Sequence, residues 1–467
     1  MSYKIVDEIT AEIFRAYDIR GIVDDTFTAD NIYTIGLAIG SELLERGIEQ
    51  VAVGRDGRVS GPVLVKALID GIATSGCGVI DIGMVTTPIL YYVATNIYSQ
   101  SGVMLSGSHN PPNYNGIKMV VGGNACYGDD ILGLRRRILE QRFNFGKAIV
   151  EKTTVINQYF ERVVDDVRIS RPLKVVVDCG NGIGGKVVPE LFKKMGLEVI
   201  ELYCEVDGNF PNHQPDPADP ENLKDLIVAI KENKADVGLA FDGDADRVGV
   251  VTEQGEIIAA DRLLALLSKD LLSRYPGETI IFDVKCSQHL PAEITKYGGV
   301  PLMYKTGHSL VKAKMKELEV LLAGELSGHI FMKERWYGFD DGVYVGARFL
   351  ELLSNHPGKC SELFDEISKG VNTPELKLPI VEDEKFKFME KLVSESVFPG
   401  GEVSQIDGIR VDYDYGFGLV RPSNTSPYLI LRFEGNSRES LLKIRDIFKS
   451  ALSKIDASLD FSILGNI

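Results

Sequence analysis

A strand-and-loop unit that recurs three times limits the fold more than any other feature of this sequence. Each copy holds three short apolar runs, and each run ends in a polar or Gly-rich loop. In the first copy Val51-Ala-Val-Gly-Arg-Asp is followed by Gly78-Val-Ile-Asp-Ile-Gly and Gly102-Val-Met-Leu-Ser-Gly-Ser. The second runs Val175-Val-Val-Asp-Cys-Gly, Glu198-Val-Ile-Glu-Leu-Tyr and Val237-Gly-Leu-Ala-Phe-Asp; the third runs Ile280-Ile-Phe-Asp-Val-Lys, Gly299-Val-Pro-Leu-Met-Tyr and Val320-Leu-Leu-Ala-Gly-Glu. Helix-like stretches lie between the strands. One is Ser60 to Thr74, where Ser60 is expected to cap and Val63, Leu64, Ala67, Leu68 and Ile72 to form an apolar stripe. Strands alternating with helices predict mostly parallel or mixed sheets, with ligand sites beyond the carboxyl ends of the strands.

After about residue 370 the pattern changes to Ile409 to Tyr413, Phe417 to Arg421 and Tyr428 to Phe433, close-spaced runs with Gly and Asp between them. These predict an antiparallel sheet, flanked by helices over Glu384 to Glu395 and Arg438 to Ser453. The expected fold is α/β: three topologically similar α/β domains, residues 1–153, 154–256 and 257–368, and a smaller C-terminal α+β domain, residues 369–467. A length of 467 residues suits that number of domains.

The net charge of −16 repels nucleic-acid phosphates and anionic lipid, so neither nucleic acid nor a membrane is an expected partner. No stretch approaches the uninterrupted apolar length of a membrane span, and Met1 to Ala16 carries no apolar signal core. Six scattered cysteines, with no Cys-x-x-Cys pair, fit a reduced cytoplasmic setting.

Four loops carry candidate chemistry. In Leu105-Ser-Gly-Ser-His-Asn-Pro-Pro-Asn-Tyr-Asn-Gly-Ile-Lys118, Ser108 sits between Gly107 and His109 at the end of a buried strand, a place for a nucleophile or phosphate carrier; a plain Ser/Asn/Pro turn is the competing account. In Phe241-Asp-Gly-Asp-Ala-Asp-Arg-Val248 the carboxylates of Asp242, Asp244 and Asp246 repel one another unless a cation intervenes, and oxygen donors suit Mg²⁺. An EF-hand is excluded, because Arg247 stands where its sharp turn needs Gly and the flanks read as strands. In Ala323-Gly-Glu-Leu-Ser-Gly-His-Ile330, Glu325 and Ser327 can bind vicinal sugar hydroxyls and His329 can move a proton; a polar helix cap also fits. Arg421-Pro-Ser-Asn-Thr-Ser-Pro427 describes a phosphate clamp or a hydrated hairpin. A fifth candidate, Gly180, Gly182 and Gly185, spells a nucleotide-binding pattern, but Val187 replaces the Ser/Thr of a P-loop and a tight strand-to-helix turn explains it.

Together these loops resemble the α-D-phosphohexomutase superfamily, most closely its bacterial phosphomannomutase/phosphoglucomutase branch. The resemblance runs nearly end to end, from Phe14-Arg-Ala-Tyr-Asp-Ile-Arg-Gly21 through Ser-His-Asn-Pro at 108 to 111, Asp-Gly-Asp-Ala-Asp-Arg at 242 to 247, Lys305-Thr-Gly-His308, Gly-Glu-Leu-Ser-Gly-His at 324 to 329, and Arg-Pro-Ser-Asn-Thr at 421 to 425. It implies four domains around a central cleft. It also implies a phosphorylated Ser108 whose phosphate shares one Mg²⁺ per subunit with Asp242, Asp244 and Asp246, and hexose 1,6-bisphosphate as activator. By the same matching Glu325 and Ser327 bind sugar hydroxyls, and Arg421, Ser423, Asn424 and Thr425 hold the non-reacting phosphate. Tyr17, Arg20, Lys118, Arg247, Lys285, His308 and His329 line the cleft, and His109 joins Ser108, Arg20, Lys118, Arg247 and His329 as a catalytic residue.

The implied reaction interconverts hexose 1-phosphates and 6-phosphates of mannose and glucose, with His329 as general base and Lys118 or His308 as alternatives. Two residues depart from the family pattern. Ala245 replaces a common Gly, so a positive φ there would cost strain, and Leu326 replaces a common Met, a swap of similar volume. Leu326 leans toward the mannose/glucose branch rather than a phosphoglucosamine mutase. Other readings are a Mg²⁺-dependent sugar-phosphate phosphatase and a binding protein without turnover. No feature signals an obligate oligomer, so a monomer is expected.

Overall fold

A computed structural model describes residues 3–381, 384–423 and 427–465. The three repeats fold alike. In the first sheet the strands Gly102–Leu105, Gln50–Arg55 and Gly78–Met84 lie parallel in that order, and Tyr114–Val121 returns antiparallel beside Gly102–Leu105. The second sheet repeats this with Val237–Phe241, Lys174–Asp178 and Glu198–Leu202 parallel and Val248–Thr252 antiparallel. The third uses Leu322–Gly324, Thr279–Asp283 and Val300–Tyr304, with Ile330–Met332 antiparallel.

The sheets are therefore mixed, because in each unit the chain turns straight back after its third parallel strand. The Ser108, Asp242 and Glu325 loops occupy this one turn, three times over. The central strands are buried on both faces, which explains their continuous β-branched runs: Val175, Val176 and Val177 are all fully buried. One apolar cluster runs across all three units and includes Ile80, Tyr92, Val175, Leu239, Phe282 and Trp336. The loops are thus carried on a continuous packed base.

The helix expected after Ser60 spans Gly61–Ser75, with two corrections. Ser60 makes no side-chain cap; its hydroxyl accepts a hydrogen bond from Asn115 at 2.9 Å instead. Val63 is 56 % exposed, because Leu64, Ala67, Leu68 and Ile72 already fill the inward face. The glycines at 180, 182 and 185 serve close backbone approach. A Cβ on Gly185 would lie 1.9 Å from the Cys204 carbonyl oxygen, and Gly180 has φ +49°.

In the C-terminal unit Ile409–Tyr413, Gly416–Pro422 and Tyr428–Gly435 form an antiparallel sheet, packed against the helices Lys385–Glu395 and Arg438–Ile455. Its polar edge grips the third unit. Arg410 donates to the carbonyls of Val284 at 2.7 Å and Cys286 at 2.6 Å, and Ser287 donates to Glu434 at 2.7 Å. Among the described residues no helix is long and apolar enough to cross a membrane.

Candidate active site

The turn loops of the first and second units meet. Ser108 adopts a left-handed φ of +47°, uncommon for a residue with a side chain, and its hydroxyl donates to Asp242 Oδ2 at 2.7 Å. His109 Nδ1 lies 3.2 Å from the same hydroxyl, and Gln214 of the second unit donates to the His109 carbonyl. Burial, with Arg247 and Arg20 nearby, holds the His109 imidazole well below its ordinary pKa, so the ring is neutral.

Asp242, Asp244 and Asp246 are fully buried and each offers an oxygen within 4.8 Å of the others. Burial, with Asp246 and Asp244 alongside, pushes the Asp242 carboxyl well above its ordinary range. Burial acts on Asp244 in the same sense but is outweighed by Lys118 at 2.7 Å and by hydrogen bonds from Thr87 at 2.5 Å and Ser106 at 2.9 Å, so its carboxyl sits low. Lys118 also reaches Asp246 at 2.5 Å; burial disfavours its ammonium, yet the two carboxylates hold it well above its usual pKa. It is therefore a fixed cation.

Asp244 Oδ1 and Asp246 Oδ1 are buried without a hydrogen-bond partner. Hard, unpaired carboxylate oxygens beside a carboxyl driven toward protonation fit Mg²⁺. Ala245 carries the loop at φ +60°, so it bears the strain that Gly would avoid.

Arg247 links the second unit to the third. Its amide donates to Asp242 Oδ1 at 3.1 Å and its Nε to His329 Nε2 at 2.9 Å. An Nε2 that accepts leaves the ring proton on Nδ1, which faces Asp340 Oδ2 at 3.1 Å. His308 stacks on His329 at 5.4 Å, and Tyr17 meets His308 edge-on at 5.2 Å. Burial, then Lys312, keeps His308 well below its ordinary pKa.

Toward the C-terminal unit, Glu325 accepts from the Gly307 amide at 2.5 Å, with the Ser327 hydroxyl 3.5 Å from its other oxygen. Burial raises its carboxyl. Lys285 pairs with Glu375 at 2.6 Å, and Arg421 with Asp407 at 2.9 Å. Arg421 Nη2 and Arg20 Nε are buried without a partner, donors available to an anion. Arg20 otherwise binds Asp18 at 2.5 Å and Asn110 at 3.2 Å. The Ser423 amide donates to the Tyr428 carbonyl at 2.9 Å, whereas Asn424 and Thr425 lie outside the described residues.

Sequence reasoning missed Asp340, Glu375, Gln214, Thr87 and Ser106. Asp340 precedes the helix Gly342–Asn355, where a cap signal draws attention to Asp341 instead. Thr87 and Ser106 are ordinary turn residues until Asp244 is brought against them.

Four family models cover most of the chain: phosphoglucomutase/phosphomannomutase alpha/beta/alpha domain I at residues 11–144, domain II at 157–255, domain III at 259–370, and the C-terminal domain at 375–451. A phosphomannomutase/phosphoglucomutase of Pseudomonas aeruginosa is 54 % identical over 459 residues, 98 % of this chain and 99 % of that protein. A phosphoglucomutase of Neisseria gonorrhoeae is 48 % identical, covering 95 % of this chain and 97 % of its own. The crystal structure of a phosphoglucomutase/phosphomannomutase family protein from Burkholderia thailandensis superposes with a TM-score of 0.93 at 49 % identity, over 97 % of this chain and 99 % of that one.

Proposed function

The chain belongs to the phosphoglucomutase/phosphomannomutase family of α-D-phosphohexomutases, and from that membership we propose that it interconverts the 1- and 6-phosphates of glucose and mannose through a phosphoserine at Ser108. The supporting observation is the Ser108 hydroxyl, set in a left-handed turn and aimed at Asp242 beside two unpaired carboxylate oxygens.

Phosphate monoesters are among the slowest substrates to cleave unaided, so rate comes from alignment and charge neutralisation. Asp242, Asp244 and Asp246 would hold Mg²⁺, which supplies part of that neutralisation. Arg20 and Lys118 supply more from the first unit and Arg247 from the second. The O6 hydroxyl of a hexose 1-phosphate attacks the phosphoserine phosphorus; the O6–P bond forms, the Oγ–P bond breaks with its electron pair staying on Ser108 Oγ as an alkoxide, and the O6 proton passes to His329 Nε2.

Arg247 must release Nε2 for this transfer, and the phosphoryl oxygens give it a new acceptor. The 1,6-bisphosphate then turns end for end. The Ser108 Oγ alkoxide attacks the 1-phosphate, the O1–P bond breaks, His329 returns its proton to O1, and the product is the 6-phosphate. Glu325 and Ser327 hold sugar hydroxyls, while Arg421, Lys285, Ser423, Asn424 and Thr425 hold whichever phosphate is idle.

The test is ³¹P NMR with Mg²⁺ and a trace of hexose 1,6-bisphosphate, supplying glucose 1-phosphate or mannose 1-phosphate. Both 6-phosphates should accumulate, and Ser108→Ala and His329→Ala should each fall by at least about 100-fold. Accumulating inorganic phosphate would make the protein a hydrolase. Turnover of glucosamine 1-phosphate alone would make it a phosphoglucosamine mutase, and an unchanged rate in His329→Ala would remove that base.

A further inference from the structure

The segment that follows the strand Gln50–Arg55 takes no part in the chemistry assigned above, yet it lies directly beneath the Ser108 loop. Asp56 and Arg58 are each 1 % exposed. The Arg58 guanidinium donates to four main-chain carbonyls of that one loop: Ser108 at 2.8 Å, Asn110 at 2.6 Å, Pro111 at 2.6 Å and Tyr114 at 2.9 Å. Asp56 holds the other end. It accepts from the Gly107 amide at 3.1 Å, and its Oδ2 lies 3.3 Å from Arg58 Nε and 3.0 Å from the oxygen of Ser106, whose one proton goes to Asp244.

The loop needs an outside donor. Pro111 and Pro112 have no N–H, so the peptides carrying the Asn110 and Pro111 carbonyls offer no amide in return. A carbonyl left unpaired costs about 1–3 kcal/mol where it is buried, as at Ser108, and one planar fork with five donors reaches four carbonyls of this loop, although that of Pro111 also accepts from the Tyr114 amide at 3.0 Å. The compound is closed on every side. A Cβ on Gly107 would lie 2.3 Å from Arg58 Nε, one on Gly208 of the second unit would lie 2.6 Å from Arg58 Cα, and the Phe210 ring sits 5.1 Å from the guanidinium carbon. A buried cation in such surroundings is retained only where its partners are complete.

We propose that Arg58 is a positioning residue for phosphoryl transfer: by fixing the carbonyls of Ser108, Asn110, Pro111 and Tyr114, it holds Ser108 in the left-handed turn that aims Oγ at Asp242. This rests on the phosphoserine reading above. A shift of about 1 Å at a reacting atom costs about 100-fold in rate, so the loop's conformation is worth that much to the enzyme.

The test compares wild type with Arg58→Ala, Arg58→Lys and Gly107→Ala, after ³¹P NMR has established that the wild type transfers phosphate through Ser108. Lysine keeps the charge but lacks the planar fork. Gly107 lies outside the left-handed region, so its alanine displaces the guanidinium without deleting it.

Each variant should lose about 100-fold in kcat with KM for hexose 1-phosphate within about threefold, and Arg58→Ala should regain at least about tenfold in ~50 mM guanidinium chloride but not in equal NaCl. Wild type should gain nothing from guanidinium. If Arg58→Ala and Arg58→Lys fail to fold, Gly107→Ala decides alone. Folded variants with wild-type kcat overturn the proposal, as does a folded Arg58→Ala that guanidinium leaves unrescued.

Discussion

Asp340 shows what a motif cannot carry. It lies outside every loop that the sequence singles out, yet it is fully buried, 2.7 Å from Lys312 and 3.1 Å from His329 Nδ1. Burial opposes its charge, but Lys312, His329 and His308 hold the carboxyl well below its ordinary range, so it stays ionised beside the imidazole proposed as general base. An ionised partner fixes the tautomer and stabilises the imidazolium that forms when Nε2 takes a proton. Asp340→Asn keeps the shape and removes the charge. Its kcat should fall about 100-fold, while Mg²⁺ affinity measured calorimetrically stays near wild type; equal loss of both would assign Asp340 to the metal site instead. Asp244→Asn is the converse case, since it removes one of the three carboxylates proposed to hold the metal. Titration should show Mg²⁺ affinity at least about tenfold weaker. Ser108, Asp242 and Glu325 were legible because each follows a strand signal in a loop of unusual residues. Asp340 was not, because its meaning depends on two side chains, from the loop at His329 and the helix at Lys312, that only the tertiary fold brings to it.

At the scale of elements the repeat was the readable part. Alternating apolar runs located the strands, and the same turn carries the candidate residues in each unit. The long segment from Tyr203 to Asp219 has no period, so its task stayed hidden: from the second unit Gln214 donates to the His109 carbonyl in the Ser108 loop, and Phe210 lies against Arg58. A second hidden joint is Glu293, on the helix His289–Lys296. It accepts from the Ser368 hydroxyl at 2.6 Å and amide at 3.2 Å, tying that helix to the chain leading into the C-terminal unit. Burial opposes its charge, yet Ser368 and Lys296 lower its carboxyl from 4.5 to about 2. The folded protein therefore binds fewer protons here than the unfolded chain, so the contribution is complete above pH 4.5 and is lost as pH falls toward about 2. Thermal unfolding of Glu293→Gln should occur below wild type at pH 6, and the gap should close on acidification across that window. A constant gap would mean that Glu293 acts through packing alone.

The whole molecule poses an electrostatic problem that no single element shows. A chain of net charge −16 must admit doubly negative sugar phosphates, and the cations proposed to meet them in the cleft are Arg20, Lys118, Arg247, Lys285 and Arg421. The two fields differ in range. The acidic exterior acts on a substrate still well outside the protein, whereas the cleft cations act within a few ångströms of the phosphate. The Debye length falls from about 30 Å at 0.01 M salt to about 10 Å at 0.1 M and about 3 Å at 1 M, so added salt removes the long-range repulsion first. The short-range attraction weakens only when the screening length approaches contact distance, and buried cations such as Lys118 are shielded least. With Mg²⁺ held saturating, kcat/KM should rise by about two- to threefold between 0.01 and 0.1 M KCl and then decline toward 1 M, while kcat changes little below 0.1 M. Lys285→Gln should lower the whole curve and leave its initial rise intact, because the exterior charge that causes the rise is untouched. A steady fall from the lowest salt would mean instead that the cleft's field already governs approach at long range, and that the acidic surface is too dispersed to oppose it.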